Sequence, residues 1–314
     1  MSTDAFPPLP GLAFEGVLAG SECFARYRDE SSNAARTVER RATIAGVATV
    51  EALRGNGRSS HLARVSAVHV VGATTYVVYV DGFACSLPAR MRDRSWVAAS
   101  RAHVLAQLAE ALHDLHGHGI GHGDLSPDAI LLDASGDLRL AALSGAAAAP
   151  AATSQAPGEL HTLGPTLTRA RATGGALAYL APEQFVSGTA TLESDTFAWG
   201  CIAYEIATGR APFGFLTEAT KLLEAVTRGP TQRVHDLEPS FTETFDADVR
   251  TALAFNRKDR ALPRPIPARW VHELTADAET VAVSKTPGAL ARWLVPALTI
   301  AVALAAIGYF VVSR

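Results

Sequence analysis

The 314-residue chain predicts an α+β fold of two lobes followed by one apolar segment at its C-terminus. Three observations carry that expectation. Short β-branched and aliphatic runs, broken by Gly, Asp, Asn and Ser, fill residues 14–82. From Trp96 onward the apolar residues recur at helical spacing instead. Residues 293–312 carry no charged side chain. Strands first and helices second predict a small β-rich lobe over 14–82 and a larger helical lobe over 83–275.

Taken in order, residues 1–13 contain several prolines and no charged-then-apolar pattern, so they read as an irregular arm and not as a signal peptide. Thr74 to Val80 is the clearest strand of the small lobe. Val104, Leu105, Leu108, Leu112 and Leu115 fall at i, i+3, i+4 spacing and predict one long amphipathic helix. Gly145 to Gly174 is rich in Ala, Pro, Thr and Gly without sustained periodicity and reads as a long loop, of the kind that carries function or mobility in a compact domain. Thr196 to Thr208 is apolar nearly all round and predicts a helix buried in the second lobe. Residues 276–292 form a linker of polar and small residues.

Residues 293–312 have the length needed to cross a ~30 Å hydrocarbon core as a helix. Trp293 stands at one edge and Tyr309 with Phe310 near the other, where amphipathic rings favour the interface. Lys285 and Arg292 precede the span and only Arg314 follows it, which predicts a single-pass protein of the inner membrane with its large domain in the cytoplasm.

Net charge is −3 and no basic run with interleaved aromatics occurs, so nucleic acid is not an expected partner. Cys23, Cys85 and Cys201 lie far apart without CxxC spacing, which argues against a disulfide framework or a zinc ribbon and fits a reducing compartment. His113, His116, His118 and His122 crowd one stretch, but no dedicated metal site is expected there. Lysine occurs only at positions 221, 258 and 285.

The stretch Leu115 to Leu132, LHGHGIGHGDLSPDAILL, resembles the catalytic-loop region of protein kinases. GALAYLAPEQF from Gly175 to Phe185, SDTFAWGCIAYEIATGRAPF from Ser194 to Phe213, and Asn256 to Arg260 are similar to three further blocks of that family, in the same order. The chain is thereby identified as resembling the bacterial serine/threonine (Hanks-type) kinases from about Phe14 to Leu274, which implies the two-lobed protein-kinase-like fold. The resemblance implies structural roles for four residues. Asp195 would accept hydrogen bonds from the backbone around His122, and Glu183 would pair with Arg260.

Phosphoryl transfer in that family needs a glycine loop over the phosphates, a strand lysine paired with a helix glutamate, magnesium ligands and an aspartate that orients the hydroxyl. LAGSECFARY, Leu18 to Tyr27, aligns with the glycine loop and keeps Gly20, while Ala19, Ser21 and Phe24 stand where glycines are expected. No lysine precedes Lys221, so Arg40 or Arg41 is the nearest stand-in for the strand lysine, and Glu51 for the helix glutamate. Asp124 keeps the position of the base, as a hydrogen-bonding residue more than a catalytic one. Gly123, Ser126 and Ala129 replace Arg, Lys and Asn, and the second metal-binding motif falls on Ala142, Leu143 and Ser144. Asp128 and Asp133 flank the loop as ordinary turn residues.

These departures predict a membrane-anchored pseudokinase that signals by binding, with no cofactor and no metal. The alternative is a divergent serine/threonine kinase that uses ATP and Mg²⁺ with Asp124 as base. A protein partner in a membrane-proximal signalling complex is expected, meeting the groove below the 145–174 loop and the helix near Thr217 to Val226.

Overall fold

The computed structural model describes residues 6–41, 60–141, 146–147, 176–187, 189–214, 216 and 219–272. The chain divides into Met1–His272 and Glu273–Arg314, and every described residue lies in the first unit. The expected membrane span at 293–312, Glu51, the Ala142 to Ser144 motif and most of the 145–174 loop lie outside the described residues. Among those described, no helix is long and apolar enough to cross a membrane.

The first lobe is a five-stranded antiparallel sheet of β1 (Leu12–Val17), β2 (Phe24–Asp29), β3 (Ala35–Arg41), β4 (Val65–Val71) and β5 (Thr74–Tyr79), in the order β1-β2-β3-β5-β4. Alternation divides its side chains between two faces. Ala25, Tyr27, Val38, Tyr76 and Val78 pack on one face with Phe6, Leu9 and Leu12. Residues 6–11, ahead of β1, are thus irregular but held, and Tyr27 fixes them further by donating its hydroxyl to the Pro7 carbonyl at 2.8 Å. The opposite face carries Thr37, Glu39 and Arg41, all buried. A buried row of polar residues on a central strand is the feature that sets up the site.

The lobes join through β6 (Cys85–Ser86) and the short helix α1 (Leu87–Met91). β6 pairs with β8 (Ile130–Leu132), which pairs with β9 (Leu138–Leu140). The Ala63 amide bonds Leu140 O at 2.9 Å and the Leu140 amide bonds His61 O at 2.8 Å, tying the entry to β4 onto β9. Two residues of the expected long loop are in fact strand: β10 (Ala146–Ala147) pairs with β7 (Ile120–Gly121). A two-residue ladder is too short to leave a periodic trace in sequence.

The helical lobe is built on α2 (Ala98–Gly117) and α4 (Leu192–Thr208), with the short α3 (Pro182–Ser187) between them in sequence. Every expected apolar position of α2, from Val104 to Leu115, is buried. Thr191 and Ser194 form a reciprocal capping box at the start of α4, and Gly209 ends it in the left-handed conformation. Both devices are local and sequence-encoded, so α4 can be largely buried and still have defined ends. Trp199 of α4 packs at a tilt against Trp270, ring centroids 5.8 Å apart, and donates its indole N–H to the Leu105 carbonyl of α2 at 3.3 Å. Beyond α4 come α5 (Ala219–Arg228), α6 (Val234–Leu237) and α7 (Glu243–Ala252).

Candidate functional site

On the inner face of β3, Arg41 Nε donates to Glu39 Oε1 at 2.7 Å and the Tyr79 hydroxyl donates to Glu39 Oε2 at 2.6 Å. Glu39 is 1% exposed and Arg41 4%. Burial works against the Arg41 charge, but Glu39, Tyr79 and Asp124 outweigh it and hold the guanidinium protonated. The family lysine is expected to meet a glutamate from a helix; among the described residues, the buried cation is bonded by a glutamate two residues away on its own strand. Arg40, the other expected stand-in, does not belong to the site. Strand alternation turns it to the opposite face, where its guanidinium sits 5.6 Å from the centroid of the Phe6 ring.

Asp195 organises the loop that carries Asp124. Its Oδ2 accepts the His122 amide at 2.7 Å and faces His116 Nε2 at 3.2 Å, and its Oδ1 accepts the Gly123 amide at 2.9 Å. Gly123 has φ +83°, a conformation in which an arginine would be strained. His122 is buried, its Nδ1 accepting the Asp124 amide at 3.3 Å while Nε2 donates to Ala141 O at 2.8 Å. That pattern needs one ring proton, and burial lowers the pKa of His122 against the opposing pull of Asp195. Asp124 itself is half-buried and close enough for its charge to act on both His122 and Arg41. Ala129, at the position of the family's metal-ligating asparagine, is 3% exposed.

Glu183 and Arg260 form a bidentate pair at 2.8 and 2.9 Å. Arg260 also donates to the carbonyls of Ala254 at 2.7 Å, Glu193 at 3.1 Å and Phe255 at 3.0 Å, so all five of its N–H groups are engaged. Its guanidinium lies 4.9 Å from the Phe197 ring centroid, and Ser194 Oγ donates to Glu183 at 2.9 Å. This is a packed architectural joint around a buried guanidinium.

Sequence reasoning passed over several polar groups that the fold gathers. Glu39 and Tyr79 were not singled out, although the alternation Thr37, Glu39, Arg41 places an acid two residues before the arginine. Glu205 near the end of α4 accepts the Tyr179 hydroxyl at 2.5 Å, and burial, then the nearby Asp128, raises its pKa against that hydrogen bond. Asp128 keeps an exposed edge, yet its pKa is also raised, by surrounding protein first and then by the charges of Glu22 and Asp124. Asp133 is instead occupied locally, accepting the Ser135 amide at 2.8 Å and the Asp137 amide at 3.0 Å. Among the described residues, no group of three or more His, Cys, Asp and Glu is placed to hold a metal ion.

Residues 75–264 match the family model described as protein kinase domain. The chain is 30% identical over 171 residues to the probable serine/threonine-protein kinase PknB of Corynebacterium glutamicum, covering 54% of this chain and 25% of that protein. It is 31% identical over 241 residues to serine/threonine-protein kinase PknB of Mycolicibacterium smegmatis, covering 76% and 34% respectively. It is 34% identical over 160 residues to the DNA damage-responsive serine/threonine-protein kinase RqkA of Deinococcus radiodurans, covering 49% and 21%. The matched parts span between about a fifth and a third of the length of these relatives. With the two-lobed architecture, the Asp195 clamp and the Glu183–Arg260 joint in place, the match over residues 75–264 settles the family: this chain belongs to the bacterial serine/threonine, Hanks-type, protein kinases.

Proposed function

We propose that this chain is a membrane-anchored pseudokinase, a binding or scaffolding module of a membrane-proximal signalling complex with little or no phosphotransfer. The observation that carries the reading is the composition of the β3 inner face. A triphosphate calls for unengaged cations and its magnesium for oxygen ligands. This face instead offers an anion, Glu39, and a guanidinium bonded to it at 2.7 Å, with the methyl of Ala129 at the position of the metal-ligating asparagine. These residues do not fit a magnesium nucleotide held in the family manner. The uncharged 293–312 segment supports the membrane anchor and a cytoplasmic kinase-like domain.

A second reading, a divergent serine/threonine kinase, is favoured by the names of the relatives and by Asp124, which keeps its place on a loop pinned by Asp195. Thermal unfolding of the full chain in detergent, with ATP in the presence and absence of Mg²⁺, separates the two. A ligand at 100 times its Kd stabilises by about 2.7 kcal/mol, a shift of several degrees. The pseudokinase reading expects no magnesium-dependent shift. A magnesium-dependent shift, followed by phosphate transfer that Asp124→Asn abolishes, would replace it with the kinase reading.

A further inference from the structure

The turn between β1 and β2 is closed on itself. The Leu18 amide donates to Phe24 O at 2.9 Å and the Ser21 amide to Leu18 O at 3.1 Å. Ser21 Oγ accepts the amides of Cys23 and Phe24, each at 3.1 Å, and both Leu18 and Ser21 are buried. A loop that covers a bound phosphate has its amides turned outward to the ligand. Here the amides of Leu18, Ser21, Cys23 and Phe24 are used within the turn.

The outer side of the same turn is seated on the connection between the lobes. The Ala19 carbonyl accepts two hydrogen bonds from Ser86, one from its amide at 3.2 Å and one from its hydroxyl at 3.0 Å. Gly20, at φ +78°, lies so close to α1 that a Cβ there would stand 2.6 Å from both Cβ and N of Ala89 and 2.7 Å from Ser86 Oγ. Glycine is needed twice, for the left-handed backbone and for the missing side chain. Ser86 is itself fully buried, so its two donors depend on Ala19 for satisfaction.

We propose that the β1–β2 turn is a latch, which closes the mouth of the interlobe cleft by seating Ala19 and Gly20 on Ser86 and Ala89, so that a nucleotide-sized ligand enters only when the turn lifts as a unit. The latch deepens the pseudokinase reading and rests on it for its consequence, a cleft held shut by the chain's own backbone. It is a steric device with no titrating group and no bound ion.

Hydrogen exchange of the full chain in detergent tests it, read at the Ser86 amide, whose acceptor is the latch carbonyl. The amides of α4 serve as the reference for global opening. Gly20→Val cannot seat on Ala89 and is expected to raise exchange at Ser86 at least tenfold with α4 unchanged. Ser86→Ala keeps the amide and loses one of the two bonds, so a rise of about fivefold is expected. Should Gly20→Val unsettle α4 as well, Ser86→Ala decides. An unchanged Ser86 rate in Ser86→Ala, or in a Gly20→Val chain with intact α4, overturns the latch. Addition of MgATP separates the latch from the reading beneath it. Renewed protection of the cleft in Gly20→Val alone keeps the latch and overturns the pseudokinase reading. Slowing at Ser86 in the unmodified chain overturns both, and no response in either chain supports both.

Discussion

Replacing Arg260 by methionine tests how much of this fold hangs on one buried cation. The guanidinium is wholly buried, every N–H is bonded, and its partner Glu183 is only 19% exposed in its side chain. Arg260→Met therefore leaves a carboxylate whose remaining side-chain hydrogen bond is the Ser194 hydroxyl, together with three carbonyls deprived of a donor. Breaking one side of such a pair costs about 3–5 kcal/mol, a large part of a stability of about 5–15 kcal/mol, and corresponds to a fall in Tm of about 10 °C. The assay is urea unfolding of the wild type, Arg260→Met, Glu183→Gln and the double variant. The pair predicts non-additivity of about 1.5–3 kcal/mol, because the second removal relieves the charge stranded by the first. Acid supplies a further check. Burial pushes the Glu183 carboxyl up, and the hydrogen bond and charge of Arg260 overcome it, leaving its folded pKa below the ordinary value of 4.5. The pair's stabilisation is present above pH 4.5 and is lost as pH falls through the folded pKa, so the gap between wild type and Arg260→Met narrows in acid. Additivity within about 0.5 kcal/mol, or a loss under 1 kcal/mol for Arg260→Met, would refute the reasoning.

Asp195→Ala removes the acceptor of two buried amides and of His116, and at about 1–3 kcal/mol for each stranded group the expected loss is about 3–5 kcal/mol by urea unfolding. Asp195→Asn keeps one acceptor oxygen and should fall between it and the wild type; a loss equal to that of alanine would show that charge alone matters. His122 gives a pH signature. Its folded pKa lies below 6.5, so as pH drops past 6.5 the unfolded chain binds the proton first and stability declines, by up to about 1.4 kcal/mol per pH unit until the folded pKa is reached. Unfolding free energies measured from pH 7.5 to 5 should show that decline in the wild type and a flatter profile in His122→Asn, and equal slopes in both would exclude His122 as its source.

The scaffold was legible because its signals are local or motif-borne. The spacing from Val104 to Leu115 fixes α2, and the apolar stretch Thr196 to Thr208 belongs to α4. Asp195, Glu183 and Arg260 stand in blocks whose order resembles a known family, and each meets the group expected of it at 2.7–2.9 Å. The cleft was less legible, for a reason of register. Choosing between Arg40 and Arg41 requires knowing which face of β3 looks inward, and both faces of that strand are covered: Phe6 and its neighbours pack on one, and Thr37, Glu39 and Arg41 are buried on the other. Alternation alone cannot decide between two covered faces. The buried polar row Thr37, Glu39, Arg41 also inverts the usual correlation of polarity with exposure. The seat of Gly20 on Ala89 joins residues 69 positions apart, and nothing in either local sequence announces it.

The buried charges of each lobe are met mainly by groups of that same lobe, and this makes a ligand-free cleft physically tenable. Asp195 and the Glu183–Arg260 joint are satisfied by groups of the helical lobe alone. In the sheet, a buried cation awaiting phosphate would be a standing cost of several kcal/mol in the absence of ligand. Arg41 avoids that cost because its counter-charge, Glu39, is carried two residues away on the same strand and is itself oriented by Tyr79. The charge of the site is thereby balanced inside one sheet, with Asp124 adding to it from the other lobe. A lysine or arginine whose partner came from a separate helix would lose that balance whenever the helix moved. An intrastrand pair keeps it through any motion that leaves β3 intact.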